Sequence, residues 1–159
     1  MFRIHLIVTG NLKERYWREA AAEYEKRLSA FARLTVSELK ESRLPENPGP
    51  AEIATALEKE ADAILSLLSP HAFVVALCVE GKMLSSEELA ATLSQIMREE
   101  GELTLIIGSS HGLSPRVKER ADLRLSFSRL TFPHQMMRVL TLEAVYRALT
   151  ILAGRKYHK

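Results

Sequence analysis

The alternation of short apolar runs with longer helical stretches is the feature that most restricts the fold. Apolar runs with many β-branched side chains are typical of strands that are buried on both faces. The predicted strands are residues 2–8, 34–41, 72–79 and 103–107. The predicted helices between them are residues 13–31, 51–68 and 85–100. This order predicts an α/β fold with a mostly parallel sheet flanked by helices.

Local signals place the ends of these helices. Asn11 is the expected N-cap of the first helix, and Ser85 or Ser86 is the expected cap of the third. Gly101 is expected to close the third helix. Helical spacing predicts that the first helix turns one stripe of side chains toward the core. That stripe consists of Tyr16, Ala20, Tyr24 and Leu28.

A fourth helix is expected after Pro133, because proline fixes φ and suits the first turn of a helix. Its apolar face is a stripe of the kind that normally packs in a core or forms a dimer seam. The stripe consists of Met137, Leu140, Val145, Leu149 and Leu152. Arg138 and Arg147 fall outside the stripe, so we expect both to face solvent.

Three loops are the expected walls of a ligand pocket. Ligands of parallel α/β sheets bind outside the carboxyl ends of the strands, which here means the loops after Leu77, Ile107 and Leu125. The loop between Gly108 and Gly112 has a glycine at each end, which permits close backbone approach or a positive φ. It matches neither the phosphate-loop nor the dinucleotide fingerprint.

The length and composition of the chain predict one domain over residues 1–159, in the cytoplasm and without a membrane anchor. Hydrophobic residues make up 47% of the 159 residues, yet no apolar stretch reaches the roughly 20 residues of a membrane span. Cys78 is the only cysteine, so it has no internal disulfide partner. The five histidines show no zinc-ligand spacing, so no metal is expected.

The charge is unevenly distributed along the chain. Residues 1–114 carry 12 Lys/Arg and 17 Asp/Glu, a net charge of −5, whereas residues 115–159 carry 10 Lys/Arg and 3 Asp/Glu, a net charge of +7. This asymmetry predicts an anionic partner for the C-terminal third. Charge alone leaves a solvated basic face as probable as nucleic acid, but the basic residues share their segment with the glycine loop, which favours nucleic acid.

Five segments form a combination that is specific, although none of them is specific alone. They are residues 105–113, residues 125–134 ending in Thr-Phe-Pro-His, residues 137–139 (Met-Arg-Val), residues 143–147 ending in Tyr-Arg, and the pair Tyr157-His158. Together with the chain length and the opening strand, this combination resembles the RlmH family of small SPOUT-class methyltransferases. The resemblance covers the whole chain.

The resemblance implies a fold, an assembly, a methyl donor and a substrate. The implied fold has a deep C-terminal trefoil knot, and the implied assembly is a homodimer. The donor is S-adenosylmethionine, and the reaction methylates N3 of a pseudouridine in the 23S RNA of a large subunit or whole ribosome. The family's cofactor contacts map onto Leu77, Gly108, Phe127, Ser128, Arg129, Leu130, Thr131 and Phe132.

Four residues are candidates for removing the N3 proton or stabilising the deprotonated ring: His134, Arg138, Tyr157 and His158. His134 and His158 are equal candidates for the base, and water is a third. The family usually has two consecutive glycines where this chain has Gly108-Ser109. If the second position needs a positive φ, Ser109 costs about 1 kcal/mol or more there.

Three other functions remain open at this point. The chain is alternatively a non-catalytic RNA-binding module, which binds RNA but no methyl donor. It is alternatively a nucleotide-binding enzyme of another class, although the fingerprints for ATP and NAD are absent from the sequence. The third alternative is a SPOUT enzyme with another target, such as transfer RNA.

Overall fold

Five parallel strands form one sheet in the order β2-β1-β4-β3-β5. The computed structural model describes residues 1–158. The strands are β1 Phe2–Thr9, β2 Ala32–Leu39, β3 Phe73–Met83, β4 Glu102–Ile107 and β5 Leu123–Ser126. The predicted α/β fold with a parallel sheet is therefore confirmed, whereas the C-terminal knot stays a prediction.

Helices cover both faces of the sheet. The helices are α1 Arg15–Leu28, α2 Pro50–Ser66, α3 Ser86–Glu99, α4 Pro115–Arg120 and α5 His134–Leu152. On one face α5 packs against both α1 and α3, and on the other face α2 packs against α4. A sheet covered in this way needs apolar side chains on both faces, which is why its strands read as continuous apolar runs.

Alternate residues of the central strands enter two separate cores. Leu6 and Leu105 belong to the larger core beneath α1, α3 and α5. Ile7 and Ile106 point the other way, into a smaller core beneath α2 and α4. Because side chains alternate between the two faces of a strand, each central strand contributes side chains to both cores.

The start of α1 differs from the prediction. Glu14, not Asn11, occupies the N-cap position, and its side chain makes no capping hydrogen bond. Tyr16 was expected in the core but is 62% exposed, and its ring meets the edge of Trp17. The stripe that α1 turns toward the core is instead Trp17, Ala21, Tyr24 and Leu28, so Tyr16 lies at its solvent side. The cap of α3 is confirmed at Ser85, which exchanges hydrogen bonds with Glu88.

Strand β3 is longer than predicted because it contains an irregularity. Its pairing with β5 shifts register between Leu77 and Lys82, so that both residues pair with Leu125. Gly81 permits this approach, since a Cβ there would lie 2.7 Å from the carbonyl carbon of Leu125. Four residues, 78–81, therefore arch out of the ladder beside the carboxyl end of the sheet.

Helix α4 was not predicted. It has only six residues, too few for a clear apolar period, and it begins at Pro115. Its one buried side chain, Val117, packs into the smaller core. Within residues 1–158, no helix is both long and apolar enough to cross a membrane.

The first prediction concerns the central strand. Leu103 is fully buried, so we expect Leu103→Ala to lower the free energy of unfolding by about 2–5 kcal/mol. Leu67, at the end of α2, is 38% exposed, and Leu67→Ala should cost less than about 1 kcal/mol. Urea denaturation of both variants tests this, and equal losses would contradict the packing described above.

Candidate functional site

A cavity of about 310 Å³ opens at the carboxyl edge of the sheet. Its walls are residues 77–80 of β3, residues 107–113 after β4, and the segment that follows β5, with contributions from α4 and α5. These are the three loops that the sequence analysis selected. They meet because the strands are parallel, so that all their carboxyl ends lie at one edge.

The lining combines apolar and polar side chains. Leu77, Ile107 and Leu125 are buried and form an apolar part. Serine and threonine side chains and the backbone of two loops form a polar part, which includes Ser109, Ser126, Ser128 and Thr131. A mixed lining of this kind suits a ligand that has both an apolar or aromatic portion and polar groups.

Gly108 is required by a close backbone contact. A Cβ at this position would lie 2.3 Å from the carbonyl oxygen of Gly112 and 2.9 Å from a methyl carbon of Leu113. The turn is closed by the Gly112 amide, which donates to the carbonyl of Ser109 at 2.9 Å. The positive φ of the turn, +87°, falls on Gly112. Any larger residue at 108 would therefore open the loop.

Ser109 carries no backbone strain. Among residues 1–158, every residue with a positive φ is a glycine, so the cost considered for Ser109 does not arise. Ser109 is 7% exposed and forms a bridge with Gly112. The second position of this loop accepts a serine because its φ lies in the range of ordinary residues.

Seven of the eight predicted cofactor contacts line the cavity. The exception is Arg129, which is exposed and lies outside the lining. The loop after β5 is shaped by two serines: Ser126 donates to the carbonyl of Ser128 at 2.9 Å, and the Ser128 hydroxyl accepts from the Leu130 amide at 3.0 Å. The geometry leaves the binding roles themselves as predictions.

One wall of the cavity is formed by the residues after Leu77, as expected, and by the unpredicted helix α4. Cys78 and Glu80 line it from the arch in β3, and Lys118 lines it from α4. Lys118 forms an ion pair with Glu80, and this hydrogen bond lowers the pKa of the Glu80 carboxyl. Burial raises the pKa of the Cys78 thiol, which favours the unreactive protonated form. In the sequence this arch is indicated by Gly81, the glycine that permits close backbone approach.

His134 lines the cavity from the start of α5. It is the first residue of α5 and lines the cavity together with Met137. A Cβ on Gly10 would lie 3.3 Å from the His134 Nε2, so the ring lies against the end of β1. Of the four predicted catalytic residues, His134 alone lines the cavity.

Arg138 is buried, and the expectation that it faces solvent is wrong. The residue is 6% exposed. Its side chain forms an ion pair with Glu38, in which the Arg138 Nη1 lies 2.7 Å from the Glu38 Oε2. Its Nη2 donates to the carbonyl of Gly10 at 3.2 Å. The charge is matched by a carboxylate on β2, and so the guanidinium fixes the first turn of α5 against the ends of β1 and β2.

Tyr157 and His158 pack on the outer side of α5, away from the cavity lining. The Tyr157 hydroxyl donates to Glu143 Oε1 at 3.2 Å, and its ring contacts the edge of Tyr146. The His158 Nε2 lies 2.7 Å from a carboxylate oxygen of Glu87 on α3. The tail is therefore a docked segment and does not fold over the pocket within this chain.

Much of the positive charge in the C-terminal third is neutralised. Five of its cations lie within salt-bridge distance of carboxylates: Arg116, Lys118, Arg120, Arg138 and Arg147. Lys159, which contributes to the sequence-based count, lies outside the described residues. The net charge of +7 consequently overstates the free positive charge on this part of the surface.

The second prediction concerns the titration of Tyr157. Burial, with smaller contributions from Tyr24 and Glu143, raises the pKa of Tyr157 from 10 to about 12. The folded tail thus favours the neutral phenol. Its stabilising contribution is complete below pH 10 and is lost as the pH rises through about 12.

Tyrosinate absorbance measured against pH tests this. Tyr157→Phe should remove the late-titrating component, and Tyr16→Phe on exposed α1 should leave it in place. Persistence of that component in Tyr157→Phe would show that the tail is not docked as described.

Comparisons with known proteins agree on one family. The family model described as "Predicted SPOUT methyltransferase" matches residues 2–158. A relative from Carboxydothermus hydrogenoformans, "Ribosomal RNA large subunit methyltransferase H", is 49% identical over 157 residues, covering 98% of this chain and 99% of the relative.

Two solved structures share the fold. One is a probable methyltransferase from Bordetella pertussis, with 17% identity and a TM-score of 0.58 over 92% of this chain and 93% of that one. The other is a probable methylase family protein from Haemophilus influenzae, with 16% identity and a TM-score of 0.53 over 99% of this chain and 70% of that one. At these identities the likeness concerns the fold alone. With the family match over nearly the whole chain, it follows that the protein belongs to the SPOUT methyltransferase family.

Proposed function

We propose that this methyltransferase transfers a methyl group from S-adenosylmethionine to N3 of a pseudouridine in 23S ribosomal RNA. The observation that carries the proposal is the convergence of seven family cofactor positions on one cavity, in a chain 49% identical to a ribosomal RNA methyltransferase. The resemblance further supports a homodimer, a single domain over residues 1–159, a C-terminal trefoil knot and a cytoplasmic site of action on assembled large subunits or ribosomes.

The cavity fits the chemistry of the donor. Leu77, Leu125 and Phe132 offer apolar surface for an adenine ring, while the backbone at Gly108 and the loop after β5 offers polar groups. Close approach to that backbone is possible because position 108 has no side chain. Arg129 lies outside the lining, although its neighbours Ser128 and Leu130 are part of it, and its contact with the donor stays a prediction.

Alignment and proton removal are the two tasks that the protein must perform. When bound, S-adenosylmethionine would supply a methyl group to the N3 nitrogen: the bond from the methyl carbon to sulfur would break as the bond to nitrogen forms in line, and a neutral thioether would leave. The apolar walls exclude water from the reacting groups and hold them in register, which provides much of the rate enhancement in such displacements. The N3 proton still needs an acceptor or a cationic group that stabilises the deprotonated ring.

His134 is the best placed of the four candidates for that proton. It lines the cavity, whereas Arg138 is held by Glu38 and acts as a positioning residue for the turn that carries His134. Tyr157 and His158 are engaged by Glu143 and Glu87 and do not line the cavity of their own chain. We therefore propose that His134 accepts the proton.

The third prediction tests this assignment. His134→Ala should lower kcat by about 10²–10⁴-fold, the usual contribution of a general base, with little change in donor affinity. Gln135→Ala, one residue further along α5, is the control, since Gln135 caps the Lys13 amide and does not line the cavity. An unchanged kcat in His134→Ala would exclude His134 as the base and leave His158 and water.

The fourth prediction concerns donor binding. Gly108→Ala should weaken S-adenosylmethionine binding at least about tenfold, or about 1.4 kcal/mol, because the new Cβ forces the loop away from Gly112. Gly49→Ala is the matched control, since the nearest atom to its Cβ would lie at 3.7 Å. Calorimetric titration measures both. Equal affinities in Gly108→Ala and the wild type would mean that the donor binds elsewhere.

Substrate identity is tested on ribosomes that lack the modification. The purified protein and S-adenosylmethionine are incubated with large subunits, with protein-free 23S RNA and with transfer RNA, and the nucleosides are analysed by mass spectrometry. We expect one added methyl group on a pseudouridine of the subunit RNA. Methylation of transfer RNA alone would favour the alternative target, and RNA binding without transfer would favour the non-catalytic module.

A further inference from the structure

A second groove lies beside the cavity, between the loop that follows β2 and the first half of α2. Its volume is about 670 Å³. The loop contributes residues 40–45, and α2 contributes side chains between positions 51 and 59. We refer to it as the β2–α2 groove.

Three cations line the β2–α2 groove: Lys40, Arg43 and Lys59. None of them lies within 4.0 Å of a carboxylate oxygen in the part of the chain that the structure describes. The lysine that lines the cavity, in contrast, is paired with Glu80. Four cations of the C-terminal third also lack such a partner within residues 1–158, but none of them lines this groove: Arg124, Arg129, Arg155 and Lys156.

The two carboxylates in the lining are engaged by other groups. Glu52 accepts a hydrogen bond from the Gly49 amide at 3.2 Å, in the cap of α2. Glu41 accepts one from the Ser110 hydroxyl at 3.3 Å. Because neither acid lies within 4.0 Å of Lys40, Arg43 or Lys59, the three cations remain available to an anionic partner.

The groove is preformed. The Ser42 amide donates to Glu60 Oε2 at 3.2 Å, and the Ser42 hydroxyl donates to the carbonyl of Ala56 at 3.3 Å. Glu60 is only 7% exposed, so this anchor lies within the protein. A partner that enters the groove therefore does not have to order the loop first, which saves conformational entropy on binding.

The groove and the cavity share a rim. Ser110, the partner of Glu41, lines the cavity, and a Cβ on Gly10 would lie 3.8 Å from Glu41 and 3.3 Å from His134. Both openings lie at the carboxyl edge of the sheet, since the groove follows β2 and the cavity follows β3, β4 and β5. A chain that extends from His134 toward Glu41 would reach the groove.

We infer that the β2–α2 groove binds the phosphodiester backbone of the RNA next to the target nucleotide. The inference rests on the proposed function, since it takes the cavity as the place of methyl transfer. Lysine ammonium groups and the arginine fork are the side chains that recognise phosphate, and the groove presents both, with neither of its two carboxylates within 4.0 Å of them. Such contacts position the RNA and carry little sequence information.

The test compares two triple variants that lose the same charge. Lys40→Ala/Arg43→Ala/Lys59→Ala removes the cations of the groove. Lys26→Ala/Arg33→Ala/Arg98→Ala removes three cations that also lack carboxylate partners within residues 1–158 but lie away from the carboxyl edge. Binding to large subunits is measured at several salt concentrations, and methyl transfer is measured separately.

The groove variant should bind large subunits at least about tenfold more weakly, with a salt slope reduced by about 2–3, because each lost phosphate contact removes roughly 0.7–0.9 of slope. Its KM for subunits should rise while its kcat and donor affinity stay within about twofold of the wild type. The control variant should behave as the wild type. Lys40→Arg/Lys59→Arg should retain binding, since arginine also recognises phosphate.

Wild-type affinity and salt slope in the groove variant would overturn the inference. Loss of binding to subunits with unchanged binding to protein-free 23S RNA would assign the groove to a ribosomal protein, and would also overturn it. Binding is measured without turnover, so a wild-type protein that binds subunits but transfers no methyl group would refute the proposed function. A loss of subunit and RNA binding in the groove variant would then still assign the groove to the RNA backbone, but not to a place next to a target nucleotide.

Discussion

The parallel arrangement of five strands is the constraint on which the rest of the structure depends. Parallel pairing places the carboxyl ends of all strands at one edge, and helices must then cross over both faces to connect them. Leu6 and Ile7 on β1 and Ile106 on β4 are fully buried between those helical layers. The loops after β3, β4 and β5 therefore lie together at this edge, and the cavity forms between them.

One backbone contact gives this edge its shape. The carbonyl of Gly112 occupies the space where any side chain at position 108 would stand. The contact folds the loop after β4 tightly enough to expose its backbone to the cavity, and Ser109 fits because the positive φ falls on Gly112. The close contact between Gly108 and Gly112 thus sets the shape of the loop that lines the cavity at the edge of the sheet.

The sequence predicts the local elements well and the long-range ones poorly. The apolar runs and the Ser85 cap depend on neighbouring residues, so the strands and the start of α3 are visible in the pattern. The burial of Arg138 depends on Glu38, 100 residues away, and no spacing rule reveals that pair. Helix α4 is too short to show a period. The arch in β3 depends on the pairing of Gly81 with a later strand.

The same limit applies to the candidate site. Seven cofactor positions converge because they follow strand ends, which the sequence shows, but the outward position of Arg129 depends on the path of a loop. The net charge of the C-terminal third did not locate the free positive charge, for a related reason. Arg116 and Lys118 are neutralised by acids of the N-terminal part, so the free cations can be identified only after the fold is known.

The claim that the cavity holds the methyl donor is tested most directly by photo-crosslinking with radiolabelled S-adenosylmethionine. After irradiation, the protein is digested and the labelled peptides are identified by mass spectrometry, with excess unlabelled donor as the competitor. The structure predicts competed label in peptides that contain residues 77–80, 107–113 and 125–132. Competed label confined to α1, α2 or residues 153–158 would contradict the account, because none of these segments lines the cavity.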